Sequence, residues 1–310
     1  MALINPSDVT YYLVPETTAG TVPATGNRYE IPSAADLNLP AFTANEIASN
    51  TKRPGRAGNG MRRGMVTGTG SVETRLQSAP VINTLMESAL SGKFTGTGTK
   101  TLKAGLTDST FTILSLLQGG AAGTAMLEAA SGTMASSMKI AATQGGEVTV
   151  AFDYLATVQT QLTSDSTLTV SAVPNTAYEY VGADVSAVTV AGNSAIQFTE
   201  LGLDVTQDRV ARGKLGTNQP IGIGTNGIRT VELTLKAYRE SFAIDALLTG
   251  LAQSFSFSIG TAGNGYSFSI PAGYASIPTT EFDSESAFVN IKITAAYDTT
   301  QGTDLVVTQL

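Results

Sequence analysis

The residue types that most often carry chemistry in proteins are absent from this chain or scattered along it. Its 310 residues include no Cys and no His. The chain therefore has no thiolate nucleophile and no disulfide, and it lacks both the commonest general base and the commonest metal ligand. The remaining chemistries would need paired carboxylates, Ser–Lys pairs or metals bound by oxygen atoms. We expect no catalytic residues, no cofactor and no metal site, and thus a protein that is not an enzyme.

The acidic side chains are the remaining candidates for acid–base catalysis. A glycoside hydrolase needs two carboxylates roughly 5–9 Å apart, and such enzymes usually also carry aromatic platforms for the sugar. This chain has no Trp and only 7% aromatic residues. The composition therefore argues against a hydrolase. The scattered acids are Glu73, Asp153, Glu179, Asp204, Asp208, Glu232, Asp283 and Glu285.

One stretch, residues 222–227, matches the G-x-G-x-x-G pattern of dinucleotide-binding loops. That pattern binds a pyrophosphate where a strand precedes it and a helix N-terminus follows it. Here Pro220 precedes the glycines and a strand pattern follows them, so we do not interpret the stretch as a nucleotide site. The chain contains no P-loop sequence.

Basic residues concentrate in one glycine-rich segment, residues 43–64, although the chain as a whole has a net charge of −7. We interpret this segment as a long loop or a loosely paired hairpin. Nucleic-acid binding needs cations that neutralise phosphates and aromatic residues on which bases stack, and this segment has no interleaved aromatic residue. We therefore favour contact with an acidic face of a neighbouring subunit over plain solvation and over nucleic acid. The cations are Lys52, Arg53, Arg56, Arg62 and Arg63.

The composition indicates a packed, mainly β protein. Hydrophobic residues make up 42% of the chain and charged residues 14%, which supports a folded core and argues against disorder. The abundance of Thr, Ser, Val, Ala and Gly favours strands and turns. No run of 18 apolar residues occurs, so we expect no membrane span. The first residues lack the basic and apolar regions of a secretory signal, so we expect none.

The chain presents one succession of elements twice. Residues 71–92 and 230–250 each read as an alternating strand that leads into an amphipathic helix and ends at a glycine. A short strand (37–39 or 201–203) and a glycine-rich loop precede each copy, and a late alternating strand follows it. Such duplication indicates assembly into a ring more than catalysis. The corresponding pairs are Val72 and Val231, Glu73 and Glu232, Leu76 and Leu235, and Gly92 and Gly250.

Local signals place the helices and the clearest hairpin. Ser78 is a plausible N-cap with Pro80 near the first helical position, and Gly92 is a plausible C′ residue. Alternation over 255–259 and 266–270 around a glycine-rich turn predicts a hairpin. We interpret residues 118–137 as a loop with one helical turn. The apolar helix faces are Ile82, Leu85, Met86, Ala89 and Leu90 in the first copy and Ile244, Leu247 and Leu248 in the second.

These elements predict a mainly β fold with one helix in each half. A strand that is apolar on one side must pack that side on another layer. We therefore predict two tandem β-sandwich or half-barrel domains, at residues 31–195 and 196–310. Residues 1–30 are rich in Pro and Gly, and we interpret them as an extended arm with little structure of its own.

The order and character of several segments resemble the tail tube proteins, or major tail proteins, of long-tailed siphophages. The resemblance covers nearly the whole chain but involves no sharp catalytic motif. The segments that carry it are PETTAGTVPATGNRYEIP, DLNLPAFTANEIASNTKRPGRAGNGMRRG, VTGTGSVETRLQSAPVINTLMESAL, GNGYSFSIPAGYAS and FVNIKITAAYDTTQGTDLVVTQL.

The resemblance implies a structural virion protein that assembles in the host cytoplasm and resides in the virion tail. Proteins of this family stack as rings into a hollow tube that carries DNA from the capsid to the host, with strands on the inside and a helix on the outside. Residues 43–64 fall where the family has its inter-ring loop, and 206–229 are the counterpart in the second copy. The implied partners are the chain itself, a tape-measure protein and transiting DNA that is not specifically bound, with no membrane.

The repeat adds an expectation about symmetry. Two domains per chain predict a homotrimer with pseudo-sixfold symmetry rather than a hexamer. About four strands per domain would then give a barrel of roughly 24 strands, wider than porins that already leave a channel. Glu73 and Glu232 are candidate lumen-facing acids that would repel DNA, because Val72 and Val231 beside them would face the core.

Other structural readings stay open at this stage. A tail terminator or a capsid decoration protein would also be a virion component, but a terminator makes single rings and not filaments. A secreted β-rich glycan-binding or adhesin module would stay monomeric and bind glycans.

Overall fold

The structure is a computed structural model, and it describes residues 9–32, 36–51, 60–118, 126–163, 168–171, 179–240, 242, 244–245, 250–283 and 286–310, with the backbone alone for 36–39, 118 and 168–171. The described chain is mainly β, as the composition predicts, with one α-helix of described bounds, α1 (Pro80–Leu90). The strands are β1 (Thr10–Pro15), β2 (Gly26–Glu30), β3 (Asp36–Ala48), β4 (Met61–Arg75), β5 (Phe94–Thr95), β6 (Thr101–Lys103), β7 (Phe111–Gln118), β8 (Met126–Ala135), β9 (Ser137–Thr143), β10 (Val148–Ala156), β11 (Val158–Leu162), β12 (Leu168–Ser171), β13 (Val185–Val190), β14 (Phe198–Arg212), β15 (Gly222–Tyr238), β16 (Gln253–Thr261), β17 (Asn264–Ala275), β18 (Thr279–Phe282), β19 (Ala287–Ala295) and β20 (Val306–Gln309).

Eight strands form an antiparallel run that we call the main sheet, in the order β3–β4–β10–β9–β14–β15–β19–β18. Its side chains alternate between a buried and a solvent face, as an amphipathic strand pattern requires. On β10, for example, Val150 and Phe152 are fully buried while Asp153 is exposed. We call the solvent side of this sheet the open face.

Two smaller groups of strands extend the main sheet. One has the order β12–β2–β1–β7–β8–β11 and joins the main sheet where β8 pairs with β10. The other has the order β13–β16–β17–β20–β6–β5 and joins where β17 pairs with β19. All 20 strands are thereby connected through hydrogen-bonded pairs.

The segment predicted to be an arm with little structure contains two paired strands. In β1, Leu13 and Val14 are buried against the core, and the strand pairs with both β2 and β7. Residues 10–15 and 26–30 thus carry regular structure, while the division of an arm at 1–30 from the first domain stays a prediction. The Pro and Gly residues mark the turns between and beside these strands, and a short run such as TYYLVP gains its stability from the partners on either side.

Helix α1 packs on the buried side of the main sheet, against β9 and β14, and also touches β8 and β2. Its apolar face is the predicted one. The N-cap is Ala79, which offers no capping oxygen, so Pro80 at the first helical position is the local start signal rather than Ser78. The left-handed C-terminal residue is Ser91, with a φ of 48°, and not Gly92.

A second copy of the strand pattern is visible in the pairing of the main sheet. In both β3–β4–β10 and β14–β15–β19, a long hairpin is followed by a later strand that pairs with the hairpin's second strand. The register supports the predicted match of Glu73 with Glu232, since each lies opposite an aspartate of the hairpin's first strand. The opposed pairs are Asp36 with Glu73 and Asp204 with Glu232.

One detail of the predicted repeat is wrong in register. The sequence pattern matches 37–39 with 201–203. In the structure Leu37 lies opposite Val72, and Val205 lies opposite Val231. The strand pairing therefore makes Val205, and not Leu201, the counterpart of Leu37. Apolar alternation looks the same after a shift by an even number of residues, so it cannot distinguish these registers.

The predicted second helix and the domain division remain predictions. Leu247 and Leu248 lie outside the described residues, while Ile244 is buried. The largest apolar cluster draws side chains from both predicted domains, and β9 of the first pairs along its length with β14 of the second. The two halves thus share one continuous core at their junction.

Candidate functional surfaces

The open face of the main sheet carries both predicted acids. Val72 and Val231 are buried, so Glu73 and Glu232, one position further along each strand, have their side chains on the open face. Carboxylates outnumber cations there. The acids of this face are Glu73, Asp153, Glu200, Asp204, Asp208, Glu232 and Glu281, and the cations are Arg75, Lys139, Lys236 and Lys292.

Two of the lysines on the open face are held by carboxylates. Lys292 Nζ lies 2.9 Å from a Glu232 oxygen. Lys236 Nζ lies between Glu200 at 3.4 Å and Glu281 at 3.5 Å. A hydrogen bond donated by Asn290, together with the charge of Lys236, lowers the pKa of Glu281. An approaching phosphate would therefore find two of the three lysines of this face already paired with carboxylates.

Several acids of the open face have no cation partner among the described residues. Glu73 is exposed and lies between Asp36 and Ala151 in the cross-strand register. Asp204 and Asp208 on β14 also form no ion pair within the described part of the chain. The face thus keeps a net negative charge after its ion pairs are counted.

The two long hairpins project from the same end of the main sheet. Strands β4 and β15 run in the same direction, because four antiparallel pairings separate them. The turns β3–β4 and β14–β15 therefore lie at one end, which we call the hairpin end. They touch there, since Val66 N donates to Asn218 O at 2.8 Å.

Only part of the predicted basic contact loop is described. Lys52, Arg53 and Arg56 lie outside the described residues. Arg62 and Arg63 are exposed near the tip of the β3–β4 hairpin, and neither forms an ion pair within the described chain. The other hairpin carries Arg212 and Lys214, also exposed.

Apolar side chains accompany the cations at the hairpin end. Ile47 and Met61 flank the first tip, and Leu215 and Ile221 lie in the second. All four are more than half exposed. Exposed large apolar side chains on both hairpins make this end a candidate contact surface.

Sequence reasoning missed a buried polar cluster at the C-terminus of α1. Arg209 of β14 is fully buried and pairs with Asp108 at 2.7 Å. It also donates to Ser88 O and Ser91 Oγ, while Gln207 donates to Ala89 O at 2.8 Å. Cations and donors at a helix C-terminus satisfy its free carbonyls and its dipole.

A second arginine reinforces this cluster. Arg229 of β15 forms a bidentate pair with Asp304, with nitrogen–oxygen distances of 2.6 and 3.1 Å, and donates to Gly105 O. Both arginines lie in 206–229, the counterpart of the glycine-rich segment that we interpreted as a long loop or a loosely paired hairpin. Residues 206–212 extend β14 and 222–229 begin β15, so the hairpin interpretation fits this part of the chain. The local sign of this strand extension in the sequence is that Val205, Gln207 and Arg209 fall on one side of a period-two pattern.

Two of the site types weighed on the sequence can be checked against the described residues. They contain no group of three or more His, Cys, Asp or Glu side chains placed to hold a metal ion. The G-x-G-x-x-G stretch lies within β15 and is followed by more strand, so no helix N-terminus meets it. No helix among the described residues is long and apolar enough to cross a membrane.

These features are those of a β-rich protein with exposed apolar and basic side chains at one end of a charged open sheet. Comparison with protein families identifies its class. The chain matches the family of phage tail tube proteins over residues 6–302, nearly its full length, and it belongs to that family. A comparison with curated protein sequences finds no match. The protein is thus a structural component of the virion tail that stacks into the tail tube.

Proposed function

We propose that three copies of this chain close into one ring of a siphophage tail tube, and that each chain fills two of six similar positions. The observation that carries the proposal is the eight-stranded main sheet with its internally repeated pairing. In the described residues β3 pairs with β4 alone and β18 with β19 alone. The two outer edges of the main sheet are therefore open to pairing with a neighbouring chain.

Ring closure explains these edges physically. An unpaired edge exposes a row of N–H and C=O groups and invites pairing with another chain. If β18 of one chain pairs with β3 of the next, three main sheets give a barrel of roughly 24 strands with no edge left, which is wide enough for a channel. A hexamer of the same chain would give about twice that number, so we favour the homotrimer with pseudo-sixfold symmetry.

The open face is the side of the sheet that would line the channel. Helix α1 and the shared core cover the other side, so only the open face is available to the lumen. Its surplus of carboxylates would keep DNA from adhering, because binding requires neutralisation of phosphates by cations. The tape-measure protein would occupy the same channel before DNA ejection. Assembly in the host cytoplasm would precede incorporation into the tail.

The candidate lumen acids give a direct prediction. Replacing Glu73→Lys and Glu232→Lys together should leave tubes that assemble but eject DNA more slowly, because three copies of each lysine would attract phosphates within the screening distance of about 8 Å. The rate of DNA release from reconstituted virions is the measurement. Glu30→Lys on β2, away from the open face, is the control for one such charge change elsewhere on the chain. Equal release from all three virions would contradict the assignment of the lumen.

Negative-stain images of the concentrated protein test the proposal as a whole. Hollow filaments of stacked rings are the expected result. Single rings that never stack would favour a tail terminator. Monomers that bind a glycan array would favour an adhesin-like module, and monomers that bind only intact capsids would favour a decoration protein.

A further inference from the structure

We propose that Asn226 is a site of spontaneous deamidation, at which the folded chain converts a side-chain amide into a carboxylate without an enzyme. The reacting groups are the side chain of Asn226 and the backbone nitrogen of Gly227, both on β15. A glycine after an asparagine favours this reaction, because no side chain hinders the approach of its backbone. The site is independent of the proposed function, because the reaction takes place in the unassembled chain.

The reaction needs only water as a co-reactant. The Gly227 nitrogen gives up its proton to hydroxide and attacks Cγ of Asn226, so that a new C–N bond forms and ammonia leaves with the side-chain nitrogen. The product is a cyclic succinimide. Water then opens one or the other of its carbonyls and leaves aspartate or isoaspartate at position 226. The sum is an amide and water converted into a carboxylate and ammonium, with no change of oxidation state.

The backbone around Gly227 leaves room for this attack. The register of β14 and β15 is interrupted between Thr206 and Asp208, so residues 227–229 bulge opposite a single residue, Gln207. Gly227 is exposed in this bulge with a φ of 69°, and a Cβ placed there would meet no atom within 4 Å. Its nitrogen can therefore move towards the preceding side chain without displacing another group.

Arg212 is placed to assist the attack. Its guanidinium donates a hydrogen bond to Oδ1 of Asn226, the oxygen on which negative charge develops when the nitrogen adds to Cγ. A donor that already points at such an oxygen lowers the barrier. The arginine reaches Asn226 across Gly224, where a Cβ would lie 3.0 Å from Nε of Arg212. The missing side chain of Gly224 thus leaves the space in which the guanidinium lies.

A second Asn-Gly pair, Asn264 and Gly265, supplies an internal comparison. Both residues are paired across the tight β16–β17 hairpin. Gly265 is buried, and a Cβ there would lie 2.6 Å from Ile259 O. Oδ1 of Asn264 accepts its hydrogen bond from the uncharged hydroxyl of Tyr180 and not from a cation. The same dipeptide is therefore protected from cyclisation at this turn but not in the bulge of β15.

Deamidation would weaken the pairing of β14 with β15. Asp208 lies directly opposite Asn226 in the register. A new carboxylate at position 226 would therefore face an existing one, and like charges directly opposite each other destabilise a strand pair. Isoaspartate would also add a carbon atom to the backbone of β15, which displaces its N–H and C=O groups relative to those of β14.

Peptide mapping by mass spectrometry tests the inference on the folded, unassembled protein. In mildly alkaline buffer, the peptide with Asn226 should exchange NH for oxygen at least about tenfold faster than the peptide with Asn264, since a modest difference in barrier gives such a factor. In denaturant the two peptides should react at similar rates, because both contain Asn-Gly. Equal rates in the folded protein, or equal slowing of both by folding, would overturn the inference.

Two variants test the part assigned to Arg212. Arg212→Leu should slow the reaction of Asn226 several-fold, because the developing charge on Oδ1 loses its charged donor. Lys214→Leu removes another exposed cation of the same hairpin and is the matched control, which should leave the rate unchanged. The peptide with Asn264 reports whether each variant is folded, since unfolding would accelerate its reaction. An unchanged rate at Asn226 in folded Arg212→Leu protein would overturn the assistance by Arg212.

Discussion

The substitutions Arg53→Glu, Arg56→Glu, Arg62→Glu and Arg63→Glu should together yield a folded protein that forms rings but no tubes. The structural argument comes from Arg62 and Arg63, which are exposed at the hairpin end and form no ion pair within the described chain. Their removal costs the isolated chain little, since exposed charges contribute little to folding. Their reversal would place like charges in the contact between rings, where such juxtapositions cost several kcal/mol. Sedimentation and electron microscopy measure the loss of tubes.

The single substitution Arg63→Glu can be compared with Lys100→Glu, which makes the same charge change at an exposed lysine beside β6. Only the first should impair tube formation. Raising the salt concentration should also reduce tube formation by the unaltered protein, because salt screens the exposed charges that attract one ring to the next. Tubes of normal length from the fourfold variant would show that the basic loop is merely solvated.

Replacing Arg209→Met should lower the free energy of unfolding of the unassembled chain by about 3 kcal/mol. The value lies at the lower end of the cost of breaking a buried ion pair, because the Asp108 side chain is 42% exposed and can be hydrated once its partner is lost. Ser88 O and the Ser91 hydroxyl would also lose a charged donor. Denaturant unfolding, followed by circular dichroism at concentrations too low for assembly, measures the change.

The matched control for this prediction is Arg75→Met at the C-terminal end of β4. Arg75 also binds two carboxylates, but its side chain is 44% exposed, so its loss should change stability far less. Because Arg209 belongs to the second half and α1 to the first, the variant should destabilise both halves in a single transition. Equal stability of the Arg75→Met and Arg209→Met variants would contradict the role assigned to the cluster.

Alternation of apolar and polar residues was sufficient to predict much of the main sheet. It correctly located β15 and the hairpin β16–β17, since a strand with one buried face has a clear period of two. The late alternating strand predicted after each copy is β10 in the first and β19 in the second. Helix α1 was predicted with the right apolar face. The predicted six-residue turn of the hairpin is tighter in the structure, where Thr261 pairs with Asn264 and Gly263 supplies the positive φ.

Strands that are buried on both sides, or built from small residues, were not predictable in this way. Residues 118–137 were interpreted as a loop, yet 126–135 form β8. Its Ala, Ser and Gly side chains are small because β8 lies between β7 and β11 and against α1. Gly132 approaches Gly20 and Thr157 so closely that a Cβ would lie 2.1 Å from the Thr157 hydroxyl. Only the tertiary neighbours explain this composition.

The candidate surfaces, like the strands, could be predicted from the sequence only in part. The facing of Glu73 and Glu232 follows from strand alternation, so the sequence could indicate it. Arg62 and Arg63 are consecutive and both exposed, and their charge within a glycine-rich segment was the signal for that. The role of Arg209 depends on its hydrogen bond to Ser91 at the C-terminus of α1, which lies more than 100 residues away along the chain. The sequence contains no local signal for that contact, and Arg209 was therefore counted only as part of a basic, glycine-rich segment.

The symmetry of a single ring tests most directly whether one chain fills two positions around a central channel. The measurement is a cross-section of the assembled tube, averaged from electron cryomicroscopy images, together with the mass of one ring. We expect three chains per ring, an open channel and an inner wall of roughly 24 strands with an approximate sixfold pattern. Six chains per ring, or an assembly without a channel, would contradict the account.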